Sequence, residues 1–112
     1  ILGLSNGARS GLTGFVAGVA RSGLAAKGVT INSLLPGQFD TDRLSAIHRR
    51  MVEATGGSLE KVREAGEKRI PAGRFGDPAE FGVLCAFLCS ARAGYITGQN
   101  ILIDGGEFPG LL

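Results

Sequence analysis

Cysteine is scarce in this chain. Only Cys85 and Cys89 occur, too few for the disulfide framework on which small secreted domains depend, and both sit in an apolar stretch that marks them as core residues. Long apolar runs are missing too. None approaches the roughly 18 residues a membrane span needs, and the N-terminus lacks the basic-then-apolar order of a signal peptide. No charge of one sign dominates: 12 Lys and Arg against 10 Asp and Glu leave +2 at pH 7. The two signs are mixed along the chain, which gives no footprint for nucleic acid or an acidic membrane. The single histidine, His48, lies on a polar segment beside Arg49 and Arg50 and reads as a solvated face. No group of His, Cys, Asp and Glu has metal-ligand spacing. The one tyrosine, Tyr95, precedes a turn and reads as packing. These absences leave the cytoplasm as the default compartment and exclude nucleic-acid, membrane and metal partners from the expectation.

What is present is a globular composition. The chain has 112 residues, 44% hydrophobic and 20% charged, enough for one domain and not two. Glycine is abundant at 19 residues, which suggests close packing and several tight turns. The chain starts at Ile1, inside a patterned segment, and so reads as a fragment.

Ser5 or Asn6 is placed to cap a first helix that runs to about Arg21. Leu12, Phe15, Val16, Val19 and Ala20 recur at helical spacing as one apolar face. Gly7, Gly11, Gly14 and Gly18 form a second stripe, although each interior Gly costs a helix about 1 kcal/mol against Ala. Two readings of that stripe stand: close approach by another element, or a buried helix that tolerates glycine. A connector over Ser22–Gly28 leads into Val29–Leu35, a run of β-branched and apolar residues that predicts a strand covered on both faces. Pro36-Gly37 ends it.

Thr41 caps the next helix, with Leu44, Ile47, Met51 and Val52 on its apolar face, and Gly56-Gly57 breaks it. Ser58 starts a short charged helix with Leu59 and Val62 inward. The stretch over about 39–69 is polar and hinged by glycine, as a mobile cover would be. Asp77-Pro78-Ala79-Glu80 is a strong helix start: Asp caps, Pro occupies the first turn, and Glu can bond back to the cap. Phe81, Leu84, Cys85, Leu88 and Cys89 line that helix. Gly94 and Gly98 bound a turn, and Asn100–Ile103 is a last short strand before Asp104-Gly105-Gly106. The count is about four helices and two strands, an α/β pattern that wants further strands to make a sheet.

Four motifs in order resemble the second half of the short-chain dehydrogenase/reductases. Val29-Thr30-Ile31-Asn32 followed by Pro36-Gly37 and Thr41 is similar to that family's strand, turn and cofactor-touching Thr. Ile70-Pro71-Ala72-Gly73-Arg74-Phe75-Gly76-Asp77-Pro78-Ala79-Glu80 resembles its Ile-Pro-x-x-Arg-x-Gly-x-Pro-x-Glu signature. Ile96-Thr97-Gly98-Gln99 and Ile103-Asp104-Gly105-Gly106 resemble its last turn and ending. Bacterial members similar to 3-oxoacyl-acyl-carrier-protein reductase look nearest. The resemblance implies that residues 1–112 are the C-terminal part of one Rossmann-type domain, a doubly wound parallel sheet whose ligand lies at the strands' carboxyl ends. It implies NAD or NADP as cofactor, a small carbonyl or alcohol substrate, and a homo-oligomer, dimer or tetramer. Pro36, Gly37, Phe39 and Thr41 match the positions that meet the nicotinamide, with Asn6 beside a ribose. Leu44, Ile47 and Met51 match a substrate lid over 39–69. Read from spacing alone, Pro36-Gly37 only ends a strand and Thr41 only caps a helix.

The sequence departs from the family where the chemistry sits. Registering Leu12-Thr13 on the family's Leu-Thr puts the Tyr of its Tyr-x-x-x-Lys motif at Leu2 and the Lys at Asn6. In the family, Tyr moves the substrate proton, and the Lys cation lowers its pKa and holds the ribose. Leu2 can do neither, Asn6 carries no charge, and Arg9, one turn on, is the nearest cation. This chain carries no glycine-rich phosphate loop, no residue that chooses between NAD and NADP, and no family Ser. Three expectations follow: part of an NAD(P)-dependent oxidoreductase, a non-catalytic family member, or an assembly module built on the glycine stripe and the apolar Phe108–Leu112 tail.

Overall fold

The computed structural model describes residues 2–110. Among them are four α-helices and two strands: α1 (Leu2–Ala20), β1 (Ser33–Pro36), α2 (Asp42–Thr55), α3 (Leu59–Glu67), α4 (Pro78–Leu88) and β2 (Asn100–Ile103), with single 3-10 turns at Ala25–Lys27 and Ala91–Ala93. The expected α/β class and element count hold. β1 and β2 lie side by side in a parallel sheet. The chain divides into two compact units. One takes the chain up to Leu35 together with Leu84–Ile101, and the other takes Pro36–Val83 and the chain from Leu102 on. No described helix is long and apolar enough to cross a membrane.

The first unit contains α1, the starts of both strands and the end of α4. Its buried apolar residues are Val16, Leu88 and Ala93. α1 is already helical at Leu2, so Ser5 and Asn6 are interior residues and not caps. Its apolar face is only partly covered: Leu12 and Phe15 are exposed, Val19 and Ala20 half-buried, and only Val16 is buried. A Cβ added at Gly7, Gly11, Gly14 or Gly18 would meet nothing within 4 Å. Among the described residues the stripe is therefore neither closely approached nor part of a buried helix. Cys85 and Cys89 are exposed free thiols, not core residues, and Tyr95 is fully exposed instead of packed. The helix periodicity that marked these residues records a face to be covered, and nothing in this unit covers it.

β1 is shorter than the predicted Val29–Leu35, and Val29 is half exposed. The residues before it bond to a turn instead of a strand. Ile31 accepts from the Gly98 N–H at 2.7 Å, and its own N–H donates to Thr97 Oγ1 at 3.2 Å. The Asn32 amide donates to the Ile96 carbonyl at 2.9 Å and accepts from the Gln99 N–H at 3.1 Å. One side chain thus holds both ends of the Ile96–Gln99 turn, which Gly98 closes in the left-handed region at φ 71°.

In the second unit α2 and α3 pack against one another. Thr41 Oγ1 accepts from the Leu44 N–H at 3.3 Å, and Ser58 Oγ accepts from the Lys61 N–H at 3.3 Å, so both predicted caps form. Gly56 ends α2 at φ 71°. Ile70 and Phe75 are buried. So is His48, which is 6% exposed and stacks at a tilt on Phe75 with ring centroids 5.5 Å apart. The solvated reading of His48 fails because Phe75 offers the imidazole an aromatic face that Arg49 and Arg50, both exposed, do not share. Leu59 is likewise exposed, and Val62 is half buried.

α4 starts as its sequence predicts. Asp77 Oδ1 accepts from the Ala79 N–H at 2.9 Å, and Glu80 Oε2 accepts from the Asp77 N–H at 2.8 Å, a reciprocal cap. Glu80 also takes a two-pronged pair from Arg74 at 2.8 and 2.7 Å. The Arg74 guanidinium first, and the Asp77 N–H second, hold the Glu80 carboxyl down at about 2. A carboxyl whose pKa is lower folded than unfolded adds stability above its unfolded value, and that stability is lost as pH falls. Glu80 should therefore contribute fully above its ordinary value of 4.5 and lose the contribution between there and about 2. In acid titrations followed by circular dichroism, Glu80→Gln should flatten this part of the stability profile; an unchanged profile counts against the pair.

Candidate functional site

The turn that ends β1 is built by a close approach. A Cβ on Gly37 would lie 2.6 Å from Cβ and 2.7 Å from Cα of Asp104, so no side chain fits there. The Gly37 N–H donates to the Ile103 carbonyl at 3.0 Å. Asp104 completes the partner segment by accepting from the N–H groups of Gly106 and Phe108, both at 2.9 Å. Gly105, at φ 66°, lies against Ile70 and Ala72, where a Cβ would be 2.8 and 3.0 Å from side-chain carbons. The Ala72 N–H donates to the Gly105 carbonyl at 3.0 Å.

The next residues pair with the signature segment. Phe39 forms a parallel bridge with Gly76. The Gly76 N–H donates to the Gln38 carbonyl at 3.0 Å, and the Asp40 N–H donates to the Gly76 carbonyl at 2.9 Å. In a parallel bridge of this form the central residue's own N–H and C=O point the other way. The Phe39 backbone groups are thus directed away from Gly76. Its ring is committed to packing, edge-on to Phe81 with centroids 5.8 Å apart. Thr41 Oγ1 accepts the α2 cap bond and keeps its own proton to donate.

Between Phe39 and Thr41, Asp40 takes a two-pronged pair from Arg63 of α3 at 3.0 and 2.6 Å. The Arg63 hydrogen bonds hold the Asp40 carboxyl below its usual range. Arg63 also reaches Glu67 at 3.0 Å and lies 5.2 Å above the Phe75 ring. A concave surface beside the turn, about 160 Å³, is lined by Gln38, Phe39, Arg74, Gly76, Glu80 and Asp104 among others.

A family model described as enoyl-(acyl carrier protein) reductase matches residues 3–107. The chain belongs to the short-chain dehydrogenase/reductase family. Among relatives of this family, 3-oxoacyl-(acyl-carrier-protein) reductase of Vibrio cholerae is 37% identical over 101 residues, covering 90% of this chain and 36% of the relative. Acetoacetyl-CoA reductase of Shinella zoogloeoides is also 37% identical over 101 residues, covering 90% and 37%. The chain thus spans little more than a third of the curated relatives it matches. Among solved structures, a short-chain dehydrogenase family protein of Francisella tularensis superposes with TM-score 0.80 at 28% identity, over 88% of this chain and 40% of that one. L-sorbose reductase of Gluconobacter frateurii, solved with NADPH and L-sorbose, superposes with TM-score 0.80 at 25% identity, over 91% and 39%. The chain is a part of the family's Rossmann-type fold, and the curated relatives from Vibrio cholerae and Shinella zoogloeoides are reductases.

Of the expected short-chain dehydrogenase site residues, Pro36, Gly37, Phe39 and Thr41 come together in one turn of the second unit, and Leu44, Ile47 and Met51 follow on α2. Ile47 and Met51 are exposed and Leu44 is half buried. Asn6 is exposed on α1, in the first unit. The side chain of Leu2 lies outside the described residues. Motif order did not reveal the Arg63–Asp40 pair, whose partners are 23 positions apart, nor the contact of Gly37 with Asp104. The Arg-x5-Glu spacing of Arg74 and Glu80 was a signal for the one long-armed pair that sequence could have named. Gly37→Ala should destabilise the intact protein by ~1–3 kcal/mol, the cost of forcing an extra carbon into a filled space. Urea midpoints compare the two proteins, and equal midpoints would show that Asp104 can move aside.

Proposed function

We propose that the turn Pro36–Thr41 holds the nicotinamide end of NAD or NADP in the protein to which this chain belongs, and that this protein is a reductase or dehydrogenase of small carbonyl or alcohol substrates, in the manner of a 3-oxoacyl reductase. One observation carries the reading: the Phe39 N–H and C=O face away from the Gly76 bridge, where they can pair with both halves of a carboxamide. Gly37 keeps the backbone at that point free of a side chain, and the Thr41 hydroxyl adds a donor. Bound there, the nicotinamide supplies or accepts the hydride. Residues 39–69 form the lid, with Leu44, Ile47 and Met51 toward an apolar substrate and the Arg63–Asp40 pair holding α3 to the turn. The uncovered face of α1, with Leu12 and Phe15, would lie in the contacts of a dimer or tetramer.

The proton-handling groups have two possible registers on α1. One places them at Leu2 and Asn6, which leaves the protein without a proton donor and supports the non-catalytic alternative. α1 is one continuous helix, so residues four apart share a face. Ser5 and Arg9 have that spacing and carry a hydroxyl and a permanent cation, and Ser5 is half buried. In this second register Ser5 donates a hydrogen bond to the substrate oxygen while Arg9 holds negative charge and a ribose hydroxyl. We favour it because it retains both chemical roles.

Turnover of 3-oxoacyl and acetoacetyl thioesters by the intact protein, with NADH and NADPH, tests this. Ser5→Ala and Arg9→Ala should each lower kcat by roughly 10²–10⁴-fold, the usual contribution of a positioned proton donor. Leu2→Tyr with Asn6→Lys should change little. Activity restored or raised by the Leu2→Tyr, Asn6→Lys pair would instead establish the first register. No turnover and no nicotinamide binding by any form would overturn the reductase reading.

A further inference from the structure

A second concavity, which shares only Gln38 with the Pro36–Thr41 turn, lies between α2 and α3. Six of its lining groups matter: His48 and Met51 from α2, Ser58 at the cap of α3, Lys61 and Val62 within α3, and Arg69 just beyond it. No acidic side chain lines it. The acids of α3 are turned to other duties or other faces: Glu64 pairs with Lys68 at 2.7 Å, Glu67 pairs with Arg63 at 3.0 Å, and Glu60 does not line the space. Among the described residues neither Lys61 nor Arg69 joins an ion pair.

His48 is the observation that turns a basic hollow into a site. Only 6% of its surface is exposed. No side-chain hydrogen bond among the described residues uses its imidazole, yet the nitrogens are not sealed off. A Cβ on Gly66, itself in the lining, would lie 4.0 Å from His48 Nε2, so the ring edge is directed at this space. An imidazole otherwise buried, with its nitrogens open onto a cationic hollow, can donate to an incoming acceptor. The start of α3 adds to the same demand. Ser58, the cap of α3, lines the space; its Oγ accepts from the Lys61 N–H and keeps its own proton to donate.

We propose that this cleft binds a phosphate group, with Lys61 and Arg69 as counter-charges and the His48 imidazole and the Ser58 hydroxyl as hydrogen-bond donors. A tetrahedral oxyanion suits donors that arrive from α2, from the α3 N-terminus and from the chain after α3, where a planar carboxylate offers acceptors in one plane only. Met51 and Val62 beside it would meet the first carbons of a phosphate monoester. The site is independent of the nicotinamide reading.

The test uses the intact protein with no nicotinamide present. The His48 imidazole is followed by ¹H–¹⁵N NMR, its signal assigned by its loss in His48→Asn. Inorganic phosphate and butyl phosphate are titrated at constant pH and ionic strength, with chloride and acetate as controls. A saturable shift of the His48 signal is expected with phosphate, and Lys61→Gln with Arg69→Gln should weaken binding by roughly tenfold or more, as removal of charge-assisted bonds does. Tighter binding of butyl phosphate assigns the site to an organic phosphate, and equal binding assigns it to the free ion; either supports the proposal. An absent or non-saturating shift, a shift that acetate or chloride reproduces, or unchanged affinity in the double variant overturns it.

Discussion

There is no room for a side chain at Gly37. That constraint brings the end of β1 against Asp104, at the end of β2, and much of the second unit is arranged around the contact. Asp104 spends its carboxylate on the Gly106 and Phe108 N–H groups, which fixes the left-handed turn at Gly105 and Gly106. Gly105 in turn lies on Ile70 and Ala72, and the segment that follows them runs through Gly76, which bridges to Phe39. The path closes on itself, from Gly37 through Asp104, Gly105, Ala72 and Gly76 back to Phe39. Glycine is needed at its narrow points because backbone must touch side chain there. The result is a turn whose N–H and C=O at Phe39 are held facing away from the Gly76 bridge.

Charge reinforces this path at two places. Arg74 and Glu80 join the signature loop to the start of α4, and Glu80 serves the Asp77 cap with the same carboxylate. Arg63 and Asp40 join α3 to the turn between Phe39 and Thr41. Both pairs are two-pronged, which restricts geometry more than a single contact would, and both are exposed enough that they orient more than they stabilise. Their value is positional: one sets the direction of α4, the other ties α3 to the turn between Phe39 and Thr41.

Much of this was legible in the sequence. β2, the caps at Thr41 and Ser58, the break at Gly56 and the reciprocal cap at Asp77 and Glu80 all follow from local rules, because each depends on residues within one turn of itself. The failures share a cause. Whether Val29–Asn32 extend β1, whether His48 is buried, and what Tyr95, Cys85 and Cys89 touch are settled by segments distant in sequence. Asn32 meets residues 64 and 67 positions away, and His48 owes its burial to Phe75. The motifs gave their order correctly, while their physical meaning is pairwise: Asn32 serves the Ile96–Gln99 turn, and Gly37 serves Asp104.

The same distinction explains the uncovered helices. Leu12 and Phe15 on α1, and Val83 and Phe87 on α4, are spaced as core residues and lie exposed. Apolar faces on this scale mark a surface meant for contact. A doubly wound sheet buries such helices on both faces of its strands, and two strands of four residues cannot do so. The chain spans little more than a third of the curated relatives it matches. The glycine stripe of α1 lies on the same helix as Leu12 and Phe15, where each glycine costs helix stability. Among the described residues nothing approaches that line closely.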